Sequence, residues 1–173
     1  MLNQSSMPSD LMWFAVQTWP RYEKKVSTEL KKKDVTVFLP LYSAEHRWSD
    51  RQHLVDLPLF PTYLFVQIPG SPESRTRVLR TIGVSQLVGS RPAGSPIPEG
   101  EIKSVRTLLS RGVDFQNCPF LTAGQRVRIR GSSLDGIEGV LIAKNDDLSL
   151  VVSIHIIQRS LAIRVAGYQV EAA

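Results

Sequence analysis

The sequence predicts an α+β protein of two domains, and three observations point to it. Elements alternate as β-α-β-β-α-β before a further helix that ends near Arg111, periodicity lapses between Val113 and Ala123, and from Gln125 onward apolar residues recur at period two. The first order matches a ferredoxin-like αβ sandwich of the split βαβ kind, carrying a hairpin excursion and an extra C-terminal helix. The last pattern, short strands at regular spacing, indicates a small barrel. The predicted division is a disordered tail at 1–11, a first domain at 12–112, a linker at 113–123 and a second domain at 124–173. A chain of 173 residues with 42% hydrophobic content can bury a substantial core.

Met12 to Thr18 reads as the first strand, and Pro20 supplies the fixed φ that suits a first helical turn. From Arg21 to Lys33, Tyr22, Val26 and Leu30 recur every four positions and make a narrow apolar stripe on a charged helix. Lys31, Lys32 and Lys33 complement the helix dipole at its C-terminal end. Arg21, Lys24 and Lys25 fall in the first turns, where positive charge is disfavoured, and their placement asks for an anionic partner.

Val35 to Tyr42 reads as a second strand, and the polar excursion through Arg47, Trp48, Asp50 and Arg51 toward Leu54 reads as a hairpin tip. The strand from Phe60 to Ile68 contains Pro61, which is tolerated at a strand start or an edge, so Phe60 and Pro61 should sit at the mouth of a sheet. Alternation sends Tyr63 and Phe65 to one face and Leu64 and Val66 to the other. Both faces are apolar, which also suits a strand buried on both sides. Ser71-Pro72-Glu73 is a helix start with Ser71 as N-cap. That helix runs to about Thr81, a strand covers Val84 to Val88, Gly94 to Pro98 is a loop, and a helix over Glu99 to Arg111 buries Ile102, Val105, Leu108 and Leu109.

In the second domain Val127 and Ile129 alternate with Arg126, Arg128 and Arg130, a half-buried strand with its charge outward. Leu150, Val152, Ile154 and Ile156 repeat the pattern, as do Leu161, Ile163 and Val165, with turns at Ser132–Gly136, 145–147 and 158–160. Gly136 and Gly139 suit unusual backbone angles or close approach, and Ile137 packs inside. Leu134, an apolar residue at a turn tip, gains nothing from water there and is not explained by the turn itself.

Charge is unevenly spread. Up to Gly112 there are fifteen Lys and Arg against ten Asp and Glu, and from Val113 on there are six of each, so the whole net charge of +5 is N-terminal. A basic region favours phosphates, while a neutral module is a poor non-specific binder of nucleic acid. The one cysteine, Cys118, cannot form an internal disulfide, and no histidine or second thiol stands at metal-ligand spacing, so neither a metal nor another cofactor is expected. His46, His53 and His155 have no serine or cysteine nearby in a nucleophile setting, and Gly131, Gly136 and Gly139 flank a turn instead of a strand-to-helix phosphate loop. No catalytic constellation results; binding is the expected trade. The apolar run Leu11 to Val16 is too short for a signal peptide or a membrane span, which predicts a cytoplasmic protein.

Leu59-Phe60-Pro61-Thr62-Tyr63-Leu64, preceded by Trp13 to Thr18 and Arg21 to Lys25 and followed by Ile82-Gly83-Val84, Leu87-Val88-Gly89 and Pro96-Ile97-Pro98, resembles the signature of the NusG family of transcription elongation factors. Gly131 to Gly139 resembles a KOW motif. Phe38 to Tyr42, Arg47 to Arg51 and Leu57 to Pro61 look closer to the RfaH and capsule-operon antiterminator paralogues than to the housekeeping member, although the general factor stays open. The resemblance implies an NGN domain followed by a five-stranded Src-homology-3-like KOW barrel, acting as a monomer on bacterial RNA polymerase to modulate pausing, termination or antitermination. It implies that Trp13, Phe60 and Tyr63 grip the clamp helices of the largest subunit, Trp13 fitting a core role equally well. Ser74, Arg75 and Thr76 would touch the gate loop, and Arg80, with Arg21, Lys24 and Lys25, the exposed DNA strand of the transcription bubble. Leu134 would meet Rho or a small-subunit ribosomal protein. A ribosome-associated KOW protein that binds RNA is the alternative of another class, and the neutral second domain counts against it.

Overall fold

The structure, a computed structural model, describes residues 11–48, 51–90, 93–118, 120, 124–144 and 147–173. Its internal contacts divide the chain between Ile97 and Pro98 into two units. The expected tail at 1–11 lies outside the described residues except for Leu11, which already belongs to a strand, and Asp50 of the expected hairpin tip lies outside them as well.

The N-terminal unit runs β1 (Leu11–Thr18), α1 (Glu23–Lys32), β2 (Thr36–Phe38), β3 (Leu41–Trp48), β4 (Arg51–Pro58), β5 (Tyr63–Pro69), α2 (Pro72–Leu79), β6 (Val84–Leu87) and β7 (Pro96–Ile97). Four strands form a sheet in the order β2-β5-β1-β6, and β7 pairs with β1 beside Trp13 and Phe14. Every pairing is antiparallel, and β1 runs against β5 from Leu11↔Pro69 to Gln17↔Tyr63. β3 and β4 make a separate hairpin in which Leu41 faces Pro58 and Trp48 faces Arg51. The segment read as a loop at Gly94–Pro98 therefore contributes a short strand, and the second strand is split in two at Leu39-Pro40. Pro40 lacks an amide proton, but its carbonyl accepts from Leu59 N–H at 2.9 Å, which ties the root of the hairpin together.

The alternation along β5 is as the residues predict. Leu64, Val66 and Ile68 join Phe14 and Val16 of β1, Val26 and Leu30 of α1 and Val78 of α2 in one buried cluster, so both helices cover the same face of the sheet. The opposite face carries Trp13, Ala15 and Gln17 of β1 beside Gln67, Phe65 and Tyr63. α1 starts two residues later than predicted: Tyr22 is its N-cap, and Arg21, at φ +67°, lies outside it in the left-handed region. Ser71 caps α2 as predicted, its hydroxyl accepting from Ser74 N–H at 3.3 Å.

The C-terminal unit runs α3 (Glu99–Ser110), β8 (Phe115–Cys118), β9 (Gln125–Arg130), β10 (Glu138–Lys144), β11 (Asp147–Ile154), β12 (Arg159–Arg164) and β13 (Gln169–Ala172). Its strands form one antiparallel sheet in the order β13-β9-β10-β11-β12-β8. Val127, Ile129, Leu150, Val152, Ile154, Leu161 and Ile163 are buried in it. Two expectations change here. The segment read as a linker holds β8, which pairs with β12 and gives the sheet a sixth strand, and α3 groups with this unit, its Ile102, Val105 and Leu108 buried and Leu109 only half-buried. The run through Ile156 does not continue as strand either, because His155–Ile157 forms a single 3-10 turn that ends on Gln158 at φ +50°.

Candidate functional site

Phe60 and Leu134 were expected at the surface, and both are interior. Phe60 is 2% exposed and stacks edge-on against Phe65 at 6.2 Å between ring centroids. Phe65 also stacks on Phe38 at 6.0 Å, so Phe60 completes a three-ring aromatic layer on the face of the sheet away from the helices. Pro61 does stop the strand, but it leads into a turn closed by Tyr63 N–H donating to Phe60 C=O at 3.0 Å, and that turn folds Phe60 inward. Trp13 is 4% exposed, which settles its two readings in favour of the core. Of the three expected grip residues, Tyr63 alone retains surface: it is half-buried, opposite Gln17, whose amide oxygen accepts from Gln86 at 2.7 Å.

That turn depends on Glu23. Thr62 sits at φ +69°, a region that β-branched residues rarely enter, and its N–H donates to the Glu23 Oε1 at 2.7 Å. Its carbonyl accepts from Thr18 N–H at 2.8 Å, so the turn is tied to α1 and to the end of β1 together. The Glu23 side chain is buried, a position for which an acidic residue in a helical first turn gives no warning.

Inward placement of Glu23 leaves the outer surface around the start of α1 to Arg21, Lys24 and Lys25, all exposed. Among the described residues none of the three forms an ion pair, whereas Lys32 is held by Glu29 at 2.9 Å. The ammonium of Lys32, with its hydrogen bond to Glu29, holds that carboxyl below the usual carboxylate range. Lys25 Nζ lies 5.3 Å from the ring centroid of Tyr22, a cation–π distance.

Arg80 belongs to a second basic cluster. It is the C-cap of α2 and lines a cleft of about 540 Å³ with Lys33, Pro72, Glu73, Thr76 and Arg77. Thr81 to Gly83 links the two clusters along α1: Lys33 Nζ donates to Thr81 Oγ1 at 2.8 Å, and Trp19 N–H donates to Gly83 C=O at 2.8 Å. The expected gate-loop residues divide. Thr76 is exposed in the cleft, Ser74 is engaged in the α2 cap, and the half-buried Arg75 lays its guanidinium 5.5 Å from the centre of the Phe14 ring.

The C-terminal unit treats charge differently. Glu138 pairs with Arg128 and lies 3.8 Å from Arg126, and Glu171 bonds Arg130 at 2.5 Å. The bond to Glu138 raises Arg128 above the ordinary guanidinium range. A cleft of about 600 Å³ between the start of α3 and the sheet is lined by Glu101, Arg126, Glu138 and His155, and there too His155 Nδ1 meets Glu101 at 2.7 Å. Leu134 is wholly buried beneath the loop that was expected to present it. Gly131 N–H donates to Asp135 Oδ1 at 2.7 Å and Leu134 N–H to Ser132 Oγ at 3.2 Å, so the loop satisfies its own amides while its apolar residue turns inward. Gly136 is at φ +83°, Ile137 is buried, and a Cβ at Gly139 would strike the Val151 carbonyl oxygen, which are the roles their sequence positions predict.

The family model described as "Transcription termination factor nusG" matches residues 11–106. Curated relatives named transcription termination/antitermination protein NusG include that of Lactococcus lactis subsp. lactis, 27% identical over 94% of this chain and 93% of its own length. That of Borreliella burgdorferi is 24% identical over 92% and 97%. A solved structure of Thermotoga maritima NusG, concerned with domain interaction in that protein, superposes with a TM-score of 0.56 at 21% identity, covering 94% of this chain and 97% of that one, and supports the likeness of the fold.

Proposed function

Because the chain belongs to the NusG family of transcription termination and antitermination factors, we propose that it is an elongation factor that binds bacterial RNA polymerase through its N-terminal unit and modulates pausing, termination or antitermination. In this reading the unit is an NGN domain of ferredoxin-like form, and the C-terminal sheet is a KOW barrel that recruits a second factor such as Rho or the ribosome. The observation that carries the reading is the exposed cation cluster Arg21, Lys24 and Lys25, which forms no ion pair among the described residues, at the start of the helix whose Glu23 holds the turn leading into the half-buried Tyr63. One partner offering both phosphates and protein surface would satisfy the two at once, as a transcribing polymerase does.

Tyr63 is the residue we assign to the clamp helices, with Phe60 and Trp13 shaping the layer beneath it. We assign Thr76 to the gate loop and Arg80 to the DNA. Holding both sides of the polymerase cleft would favour its closed state by differential binding, without chemistry by this chain. Leu134 is given no part in contacting a partner, because a partner cannot reach it without opening the loop. We read the chain as a specialised paralogue on the strength of the resemblance carried by Phe38 to Tyr42, Arg47 to Arg51 and Leu57 to Pro61.

Binding of purified RNA polymerase and of an isolated clamp-helix fragment tests the proposal. Tyr63→Ala should weaken clamp-helix binding by roughly 30-fold, as loss of an interface aromatic does. Wild-type protein that fails to bind polymerase, or a Tyr63→Ala variant that binds as tightly as wild type, would refute it.

A further inference from the structure

Trp19 is the one tryptophan among the described side chains that stands in solvent: it is 49% exposed, whereas Trp13 is 4% exposed. It does not hang from a loose loop. Its N–H donates to Gly83 C=O at 2.8 Å, its carbonyl accepts from Tyr22 N–H at 3.1 Å, and Pro20 and the left-handed Arg21 fix the turn between. Below it the Tyr22 ring meets the indole edge-to-face, with centroids 5.2 Å apart. Tyr22 is itself wedged against Gly83, at φ +97°, where a Cβ would come within 2.6 Å of the Tyr22 ring. The neighbouring Ile82 is 71% exposed.

The surroundings of this aromatic step are cationic. Arg21 and Lys24 are exposed beside it, Lys25 lies over the Tyr22 ring, and the carboxylate of Glu23 is turned inward to the Thr62 amide. The next acidic side chain on α1, Glu29, is bonded to Lys32. A half-exposed indole held in a hydrogen-bonded turn, set among cations that form no ion pair among the described residues, suits a partner that offers π faces and negative charge in alternation, which single-stranded nucleic acid does and a duplex, with its bases stacked, does not.

We propose that Trp19, supported by Tyr22 and flanked by Arg21, Lys24 and Lys25, is a stacking platform for an unpaired base of a single strand. The inference deepens the reading of the N-terminal unit as facing the exposed strand of a transcription bubble, and it rests on that reading for its biological setting. The full chain is titrated with a labelled short oligothymidylate and with a duplex of equal length at low salt, without polymerase, following anisotropy and tryptophan emission. Wild type should prefer the single strand and lose emission on binding it. Trp19→Ala should weaken that binding by at least about fivefold, the low end for one base–aromatic stack. Trp19→Tyr should keep most of the affinity and lose the quenching, which assigns the signal to this residue. Lys24→Gln with Lys25→Gln should flatten the salt dependence while leaving the quenching.

Unaltered oligonucleotide affinity in Trp19→Ala, equal affinity for duplex, or no binding by wild type would each overturn the proposal. Clamp-helix binding by Trp19→Ala should match wild type; its loss would make the patch a protein contact and overturn it also. Failure of wild type to bind polymerase is read in a separate assay, so the wider functional reading can fall while base stacking stands.

Discussion

The turn from Phe60 to Tyr63 and the turn from Gly131 to Gly136 meet the same demand with different reach. Each buries an apolar side chain, Phe60 in the N-terminal unit and Leu134 in the C-terminal one. Each has a residue other than glycine at positive φ, Thr62 at +69° and Ser132 at +127°, and each gives a backbone N–H to a carboxylate at 2.7 Å. The carboxylate in the second turn is Asp135, four residues from the amide it caps and exposed to water. That in the first is Glu23, thirty-nine residues away and buried. A local cap makes a loop that folds on its own terms. A distant one makes the loop a consequence of the sheet and helix around it.

The comparison breaks first at the buried side chains. Phe60→Ala should cost about 3–5 kcal/mol of stability in its unit and Leu134→Ala about 2–5 kcal/mol in the other, as deletions of enclosed side chains do. Denaturant unfolding of each variant, with emission and circular dichroism followed together, checks both. A stability loss below about 1 kcal/mol at either site would return that residue to the surface and restore it as a contact for a partner.

The caps should differ by more than the side chains they support. Glu23→Ala leaves the Thr62 N–H without its acceptor in a partly buried setting and should cost about 1–3 kcal/mol. Asp135→Ala exposes the Gly131 amide to water, which replaces most of the lost bond, and should cost about 1 kcal/mol or less. Amide hydrogen exchange sharpens the test. The Thr62 amide should lose protection strongly in Glu23→Ala, while the Gly131 amide exchanges readily in wild type and variant alike. Equal costs would mean that reach makes no difference.

The same contrast explains what was legible in the sequence. Period two along β9, β11 and β12, the stripe of α3, the α2 cap and the alternation along β5 are set by neighbours a few residues apart, and they read correctly apart from Ile156 and Leu109. Phe60 misread because Pro61 put it at the mouth of a sheet, when its deciding partner was Phe65 across the layer, and Leu134 misread because an apolar residue at a turn tip was judged against water, when its loop closes over it. Glu23 was not singled out, since nothing near it announces an amide thirty-nine residues away. β8 was hidden for a similar reason: Phe115-Gln116-Asn117-Cys118 lacks alternation, and its pairing is supplied by β12. On the candidate site, the cations at the start of α1 were visible as misplaced charge, and the left-handed turn that puts Arg21 before the helix while Lys24 and Lys25 stay in its first turn was not.

The smallest effect tests the turn from within. Thr62 occupies the left-handed region at φ +69°, where a residue with a Cβ costs roughly 1–2 kcal/mol, and its β-branch allows no relief through χ1. Glycine would remove that cost and keep the N–H that Glu23 caps, because the hydrogen bond is made by the backbone. Against this gain stands the greater freedom of glycine in the unfolded chain, worth about 0.5–1 kcal/mol. Thr62→Gly should therefore stabilise the N-terminal unit by about 0.5–1 kcal/mol, seen as a higher denaturant midpoint at an unchanged slope. In a Glu23→Ala background the gain should shrink, since the turn that forces the left-handed angle is already loosened, and the pair should couple in a double-mutant cycle. A destabilised Thr62→Gly would show that the threonine side chain contributes more than its backbone angle costs. Additive changes would show that the cap and the angle act independently, and the turn would then be no more a product of its distant partner than its counterpart at Asp135.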